Sequence, residues 1–568
     1  MRENEVIGAF RSVSFPVKCV VLMFGLVLCS DLTEAAVLNF SLQRISTSTV
    51  NDWMQDACDA QRTGYIPIDP LLPWTFRWTF NGPDANGGLG GHFYNGSREG
   101  RTVTGDGKIY VPATSFGVYA LTLSSGIVAW HFAGSTVNAT PAYDPVTRCV
   151  YAGGADGVLY KLNAANGTVE GTYNAGSPIN RSILIVSPHV FCVSDNGALH
   201  KVHTQTMVRE WRYDGGGPIA TPPAYSAVRD VIVYVTNDLY VHCVNNADGA
   251  RRWRVKPTPH TAGFPYEFDG MWPVIADGHG VVFVRMRLEH GAQVEELNLR
   301  TNAQIRVWLQ NNPAKKNLFA LDLDTGAEKF IPAVLYGAVE DNIAPDPRTG
   351  HQPYGDIGTV PVIKRFPDGT EVAYQPFRSW DVWESGYTTP WNAHLGEMVL
   401  DSTTVPGYVA GDLRYVGMER IGESYIAIND ELCPITVAGN TVFHAHWGAT
   451  ESIRITDRSA SKGDRLANHF SFVRNPTIIR ALAQCNDKNL ATRWTTCGLT
   501  SATDGRWWGG PGWWVYWNVV EPPGPKTSIP QTYSAGLLPR YAYVNGQYIV
   551  IQGNGGDIFV MQHSGVVP

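Results

Sequence analysis

The chain has 568 residues, a formal net charge of −7, 44% hydrophobic and 17% charged residues, and 58 Gly, 18 Trp and 25 Tyr. That length exceeds one ordinary compact core, which leaves several domains or a repeat architecture, and an acidic balance without any Lys/Arg-rich run excludes a nucleic-acid backbone as partner. The glycine and aromatic content points to turn-rich β structure and away from a helical bundle.

At the N-terminus, Arg2, Arg11 and Lys18 precede an apolar stretch from Cys19 to Cys29, followed by Thr33-Glu34-Ala35. A basic flank, a short apolar run and small residues are the order of a secretory signal peptide, read here as residues 1–35 with cleavage after Ala35. The apolar run is shorter than the roughly 20 residues of a spanning helix, so no membrane-spanning segment is expected after cleavage. Residues 36–71 read as an N-terminal extension, and 72–568 as the main body. Seven cysteines remain after the leader, among them Cys485 and Cys497, which bracket a polar loop and form the local disulfide candidate in an oxidising compartment. Sequons stand at Asn39, Asn95, Asn138, Asn166 and Asn180.

From residue 117 a unit recurs. "GVYALTLSSGIVAW" (117–130) is followed 41 residues later by "LYKLNAANGTVEG", then by "HKVHTQTMVREW" (200–211), "HCVNNADGARRW" (242–253) and "FALDLDTGAEKF" (319–330). Ahead of each copy lies another alternating run joined by a Gly or Asp-Gly turn, which supplies the positive φ of a tight hairpin. Degraded copies follow at 360–411, 433–457 and 541–562. Three or four short strands in about 41 residues, with no 3.6-residue apolar spacing, match a β-propeller blade. The strand in "LPWTFRWTFNG" (72–82) has no hairpin partner ahead of it and is expected to complete the last blade, closing the ring. The reading is therefore an all-β propeller of eight four-stranded blades, seven being the alternative, with long insertions around 260–315, 330–357 and 458–539.

"ALDLDTGAEKF", and more loosely "ALTLSSGIVAW", resemble the tryptophan-docking repeat of pyrroloquinoline-quinone-type propellers, most clearly over residues 100–330. The resemblance implies that Trp130, Trp211, Trp253 and Phe330 pack into neighbouring blades. It does not choose a function, because the same blade builds quinoprotein dehydrogenases and noncatalytic scaffolds similar to the outer-membrane assembly lipoprotein. A family enzyme implies a vicinal disulfide, a catalytic Asp usually following Trp, and carboxylate and amide ligands for calcium. The chain has no Cys-Cys pair; Asp356, Asp381 (after Trp380) and Glu384 are the candidate acids, with rim-loop capping as the simpler expectation.

The densest aromatic segment, "DGRWWGGPGWWVYWNVVEPPGP" (504–525), places Trp507, Trp508, Trp513, Trp514 and Trp517 on a Gly/Pro-rich loop. That loop is read as either a plug or a ligand platform for a protein, peptide or carbohydrate. The expectation is thus a secreted, extracellular or periplasmic binding scaffold without cofactor or metal site; the alternative is a divergent dehydrogenase of alcohols or sugars holding pyrroloquinoline quinone and calcium.

Overall fold

A computed structural model describes residues 51–70, 74–80 and most of 100–335, 360–415, 434–454 and 539–563, with short strands at 471–472, 507–508, 514–515, 518–519 and 527–528. All lie within one compact unit, Thr47–Pro568. Eight antiparallel sheets follow in ring order, blades 1 to 8, with innermost strands Val103–Gly105, Ala142–Asp144, Leu184–Val186, Ala224–Ser226, Val274–Ala276, Val362–Arg365, Thr436–Ala438 and Pro539–Asn545. In blade 8, Trp74–Phe80 is the outer strand, hydrogen-bonded to Ile558–His563. Blade 7 gains a fifth strand, because Tyr65–Ile66 pairs in parallel with its innermost strand.

Local chemistry sets the hairpins. Gly105 pairs with Lys108 across Asp106 and Gly107, whose φ values are 52° and 70°, the left-handed pair that matches the twist of two-residue hairpins. The third and outer strands of blades 1 to 5 share a bulge at one place, where Ala129, Glu170, Glu210, Arg252 and Lys329 are skipped in the pairing. The next residue in each is the docking position: Trp130, Gly171, Trp211, Trp253 and Phe330. A bulge re-aims the side chain that follows it, here towards the neighbouring blade.

Trp130, Trp211 and Trp253 each donate Nε1–H to a carbonyl of the following blade: Ala164 at 2.9 Å, Asn246 at 2.9 Å and Leu323 at 2.8 Å. Their rings lie against the turn glycine of that blade; a Cβ on Gly167 would stand 2.7 Å from Trp130. Trp78, on the strand read as a lone closing strand, occupies the same position for blade 8, with Nε1 2.8 Å from Leu123 O and its ring on Gly126. Phe330 has no N–H to donate and packs beside Gly411 of blade 6.

Blade 2 inverts the pair. Gly171 stands where the tryptophan should be, and the turn of blade 3 carries Met207 (φ 54°) where a glycine should be; a Cβ on Gly171 would stand 2.8 Å from Met207 Cγ. The methionine, 7% exposed, fills the socket from the opposite side. Gly171→Trp alone and Met207→Gly alone are therefore expected to destabilise, the first by overpacking and the second by a cavity. The double variant restores the arrangement of the other blades and should recover stability beyond the sum of the single changes by at least about 1 kcal/mol. A double-mutant cycle by urea unfolding checks this, and strict additivity would sink it.

A second inter-blade device repeats once. In blade 3, His200 bridges Ser194 Oγ (Nε2, 2.9 Å) and Tyr173 OH of blade 2 (Nδ1, 2.9 Å). Forty-two residues on, His242 of blade 4 bridges Thr236 Oγ1 (3.0 Å) and Tyr213 OH of blade 3 (3.3 Å).

Among the described residues, the insertion in blade 5 holds the α-helix Asn302–Asn311, which departs from the expectation of no 3.6-residue spacing. Thr301 and Gln304 form a reciprocal capping box at its start, and Ile305 and Leu309, one turn apart, are its buried residues. A single apolar pair is too short a repeat to register as periodicity.

Candidate functional site

The centre of the ring is built from residues 51–66, part of the segment set apart in sequence as an extension. The segment meets the eight blades in chain order. Gly546 N of blade 8 donates to Asn51 O (3.0 Å), Thr104 N of blade 1 to Trp53 O (2.8 Å), and Tyr143 N of blade 2 to Met54 O (2.8 Å). Ile185 N of blade 3 donates to the Gln55 side chain at 2.9 Å. Tyr225, Ile275, Ile363 and Val437, in blades 4 to 7, donate to the carbonyls of Ala60 (2.7 Å), Gln61 (3.0 Å), Thr63 (2.9 Å) and Gly64 (2.9 Å). In blades 1 to 7 the donor is the second residue of the innermost strand, whose free edge faces the axis. An edge strand must satisfy those N–H groups somewhere, and here the chain's own N-terminal segment accepts them. To curl through this path it places Ala57, Cys58, Arg62 and Gly64 at positive φ (53°, 77°, 60° and 68°), a cost borne where the surroundings over-determine the backbone.

Buried charge lies at the hub. Arg62, 0% exposed, donates to the carbonyls of Asp56 (2.8 Å), Pro223 (3.0 Å) and Ile183 (3.1 Å). Burial lowers its pKa to about 10, against the opposing attraction of Asp56 and Asp59. Burial pushes Asp59 up to about 6 although Thr63 hydrogen-bonds its carboxylate. Asp56 pairs with Arg101 at 3.1 Å and accepts from Ser182 Oγ at 2.7 Å. The Arg101 guanidinium, from blade 1, lies 4.6 Å from the Trp272 ring, which leads into blade 5; blades four steps apart meet here across the axis. Trp53 stacks on Tyr543 at 5.0 Å and meets Tyr541 edge-on at 6.0 Å. Arg101 Nη2, Trp53 Nε1 and the Tyr541 hydroxyl are buried without a hydrogen-bond partner among the described residues. The cluster can hold and orient polar groups, but apart from the half-buried Asp59 and Thr63 its members are at most 5% exposed, and among the described residues it pairs no nucleophile with a base.

This arrangement tests whether the axis fits a planar quinone. The Trp272 face is covered by Arg101, itself held by Asp56, and Trp272 is 4% exposed. Stacking a three-ring cofactor there requires breaking a buried ion pair, so the residues described at the hub do not fit it.

The acids Asp356, Asp381 and Glu384, the cysteines Cys485 and Cys497, the sequons Asn39 and Asn95, and the leader 1–35 lie outside the described residues. So do Trp513 and Trp517. The backbone strands Trp507–Trp508 and Trp514–Val515 pair, with Trp508 opposite Trp514. Cys149, Cys192 and Cys243 are free, buried strand residues, their thiols pushed up to about 12 by burial. Among the described residues there is no group of three metal-ligating side chains, and no helix long and apolar enough to cross a membrane. Sequence reasoning missed the hub, whose buried Trp53, Ala57, Ile66 and Ile68 form no repeat, and Trp78, whose docking turn lies 45 residues ahead of it, in blade 1, rather than in a following copy.

The family profile described as outer membrane protein assembly factor BamB matches residues 73–331. The chain resembles BamB from Moraxella catarrhalis at 12% identity over 86% of this chain and 100% of that one, with a TM-score of 0.43. It resembles quinohemoprotein alcohol dehydrogenase from Comamonas testosteroni at 15% identity over 72% and 74% of the two chains (TM-score 0.44). Quinohemoprotein alcohol dehydrogenase ADHIIG from Pseudomonas putida HK5 is similar at 12% identity over 91% and 81% (TM-score 0.48). No curated protein matches the chain in sequence.

Proposed function

We propose that the chain, whose residues 73–331 match the repeat profile of the pyrroloquinoline-quinone-like β-propellers, is a noncatalytic binding scaffold acting outside the cytoplasm, in a periplasm or after secretion. The observation that carries this reading is the axial hub: the chain's own residues 51–66 occupy the innermost strand edges, and Arg101 covers the Trp272 face. The match to a profile described as an assembly factor supports a protein or peptide as partner, for which the tryptophan-rich segment 504–525 is the proposed contact. A carbohydrate is the other ligand class that such tryptophans suit.

The competing reading is a quinoprotein dehydrogenase with Asp356, Asp381 or Glu384 as base. Titration of the full chain with pyrroloquinoline quinone and calcium, followed by absorbance and by dye-linked oxidation of alcohols and sugars, separates the two. The scaffold reading expects no saturable spectral change and no turnover; stoichiometric quinone binding with substrate-dependent dye reduction overturns it.

A further inference from the structure

We propose that Asn166 is an N-glycosylation site of the folded protein, whereas Asn138 and Asn180, which carry the same tripeptide signal, are not. The inference rests on the reading that the chain enters a secretory compartment, and it assigns a modification to a motif that the fold does not otherwise use.

The three sequons differ in what their side chains do. Asn166 is exposed in the turn between the third and outer strands of blade 2. Its Oδ1 accepts from Thr168 N at 3.0 Å and Thr168 Oγ1 at 2.8 Å, which holds the amide against the hydroxyl of its own sequon and turns the NH₂ outward. Gly167 faces the other way, onto the Trp130 ring. The turn thus docks on the tryptophan with its glycine and presents Asn166 to solvent.

Asn138 and Asn180 occupy equivalent positions, 42 residues apart, in the linkers entering blades 2 and 3. Asn138 Nδ2 donates to Asn180 Oδ1 at 3.0 Å, and Asn180 Nδ2 donates to Asp195 Oδ2 at 2.7 Å. Each amide nitrogen that a glycan would occupy is already a donor in this relay. Their hydroxyl partners are sequestered as well. Thr140 accepts from Arg101 N at 3.0 Å and Ser182 donates to Asp56 at 2.7 Å, and both residues are 0% exposed. A glycan on either asparagine would take one N–H of a relay donor and crowd the relay beside the buried hub, whereas Asn166 engages its own turn through Oδ1 and leaves Nδ2 out of those bonds.

The step is a displacement at an anomeric carbon. Asn166 Nδ2 attacks C1 of a lipid-diphosphate-linked oligosaccharide, the N–C1 bond forms as the C1–O bond to the diphosphate breaks, Nδ2 gives up one proton, and the lipid diphosphate leaves.

The test is translation of the full chain in the presence of eukaryotic microsomes, once with its own leader and once behind a leader of established function. Deglycosylation in heavy-oxygen water then labels each occupied asparagine for peptide mapping. In the protease-resistant, folded fraction, Asn166 should carry the label and Asn138 and Asn180 none, and Asn166→Gln should lose one glycan increment with an unchanged melting midpoint. An unlabelled Asn166, or label on Asn138 or Asn180 in folded protein, overturns the proposal. If the chain with its own leader stays accessible to protease outside the vesicles, the extracytoplasmic reading fails instead, and the second leader still decides the site.

Discussion

Replacing His200 and His242 by Gln is expected to flatten the loss of stability that the wild-type chain shows between pH 6.5 and pH 4. Both imidazoles are buried, at 1% and 0% exposure, and burial first, then neighbouring arginines, pull each pKa down to about 4. Arg209 and Arg212 face His200; Arg251 and Arg254 face His242, with Asp238 opposing them. Hydrogen bonding favours the neutral ring too. Ser194 Oγ donates to Asn196 Oδ1 at 2.7 Å, so it accepts from His200, and a second ring N–H would need the Tyr173 hydroxyl as a further acceptor. An unfolded histidine titrates near 6.5, so below that pH the unfolded chain binds protons that the folded chain refuses. Stability from these groups is complete above about pH 6.5 and declines as pH falls to 4, by roughly 3 kcal/mol for each histidine.

Asp59 acts in the opposite sense. Its folded pKa near 6 stands above the unfolded carboxylate value, so acidification from 6 towards 4 relieves a buried charge and returns stability. The two histidines are therefore read from a difference: urea midpoints of wild type and the His200→Gln/His242→Gln variant between pH 4 and 7. Parallel pH profiles would show that the inter-blade histidines are not the acid-sensitive contact.

Arg62→Met should be the most damaging single change at the hub. The side chain joins Asp56 of its own segment to carbonyls that lead into blades 3 and 4. Removing the guanidinium leaves three buried carbonyls without their donor and takes the compensating charge from Asp56 and Asp59. Breaking a buried ionic arrangement by deleting one partner costs about 3–5 kcal/mol. Arg62→Lys keeps the charge, but one ammonium cannot span the three acceptors of a planar fork, and its loss should be intermediate. Urea midpoints and limited proteolysis read both. A variant within about 0.5 kcal/mol of wild type, the range of ordinary surface changes, would mean that the hub is held by its backbone bonds alone.

Much of the blade was legible because its determinants sit close in sequence. Asp106-Gly107 makes its turn from two residues. Trp130 docks on a turn only about 35 residues away, and the same offset returns with Trp211, so comparison of the chain with itself reveals it. Gly171 and Met207 escaped that comparison because each breaks the pattern by itself, and they make sense only once seen in contact. The hub escaped for a deeper reason. Its anchors are mostly backbone carbonyls, which every residue type supplies, and they join partners as distant as Asn51 and Gly546.

The amino-acid sequence by itself determined the β-propeller repeat, since the spacing of turns and alternating runs carries that property locally. Only the tertiary structure decided what fills the axis, which of the described sequon amides are tied into a relay and which histidines are buried between blades. Burial, and the hydrogen bonds that burial makes obligatory, are properties of the closed ring and of no stretch of it.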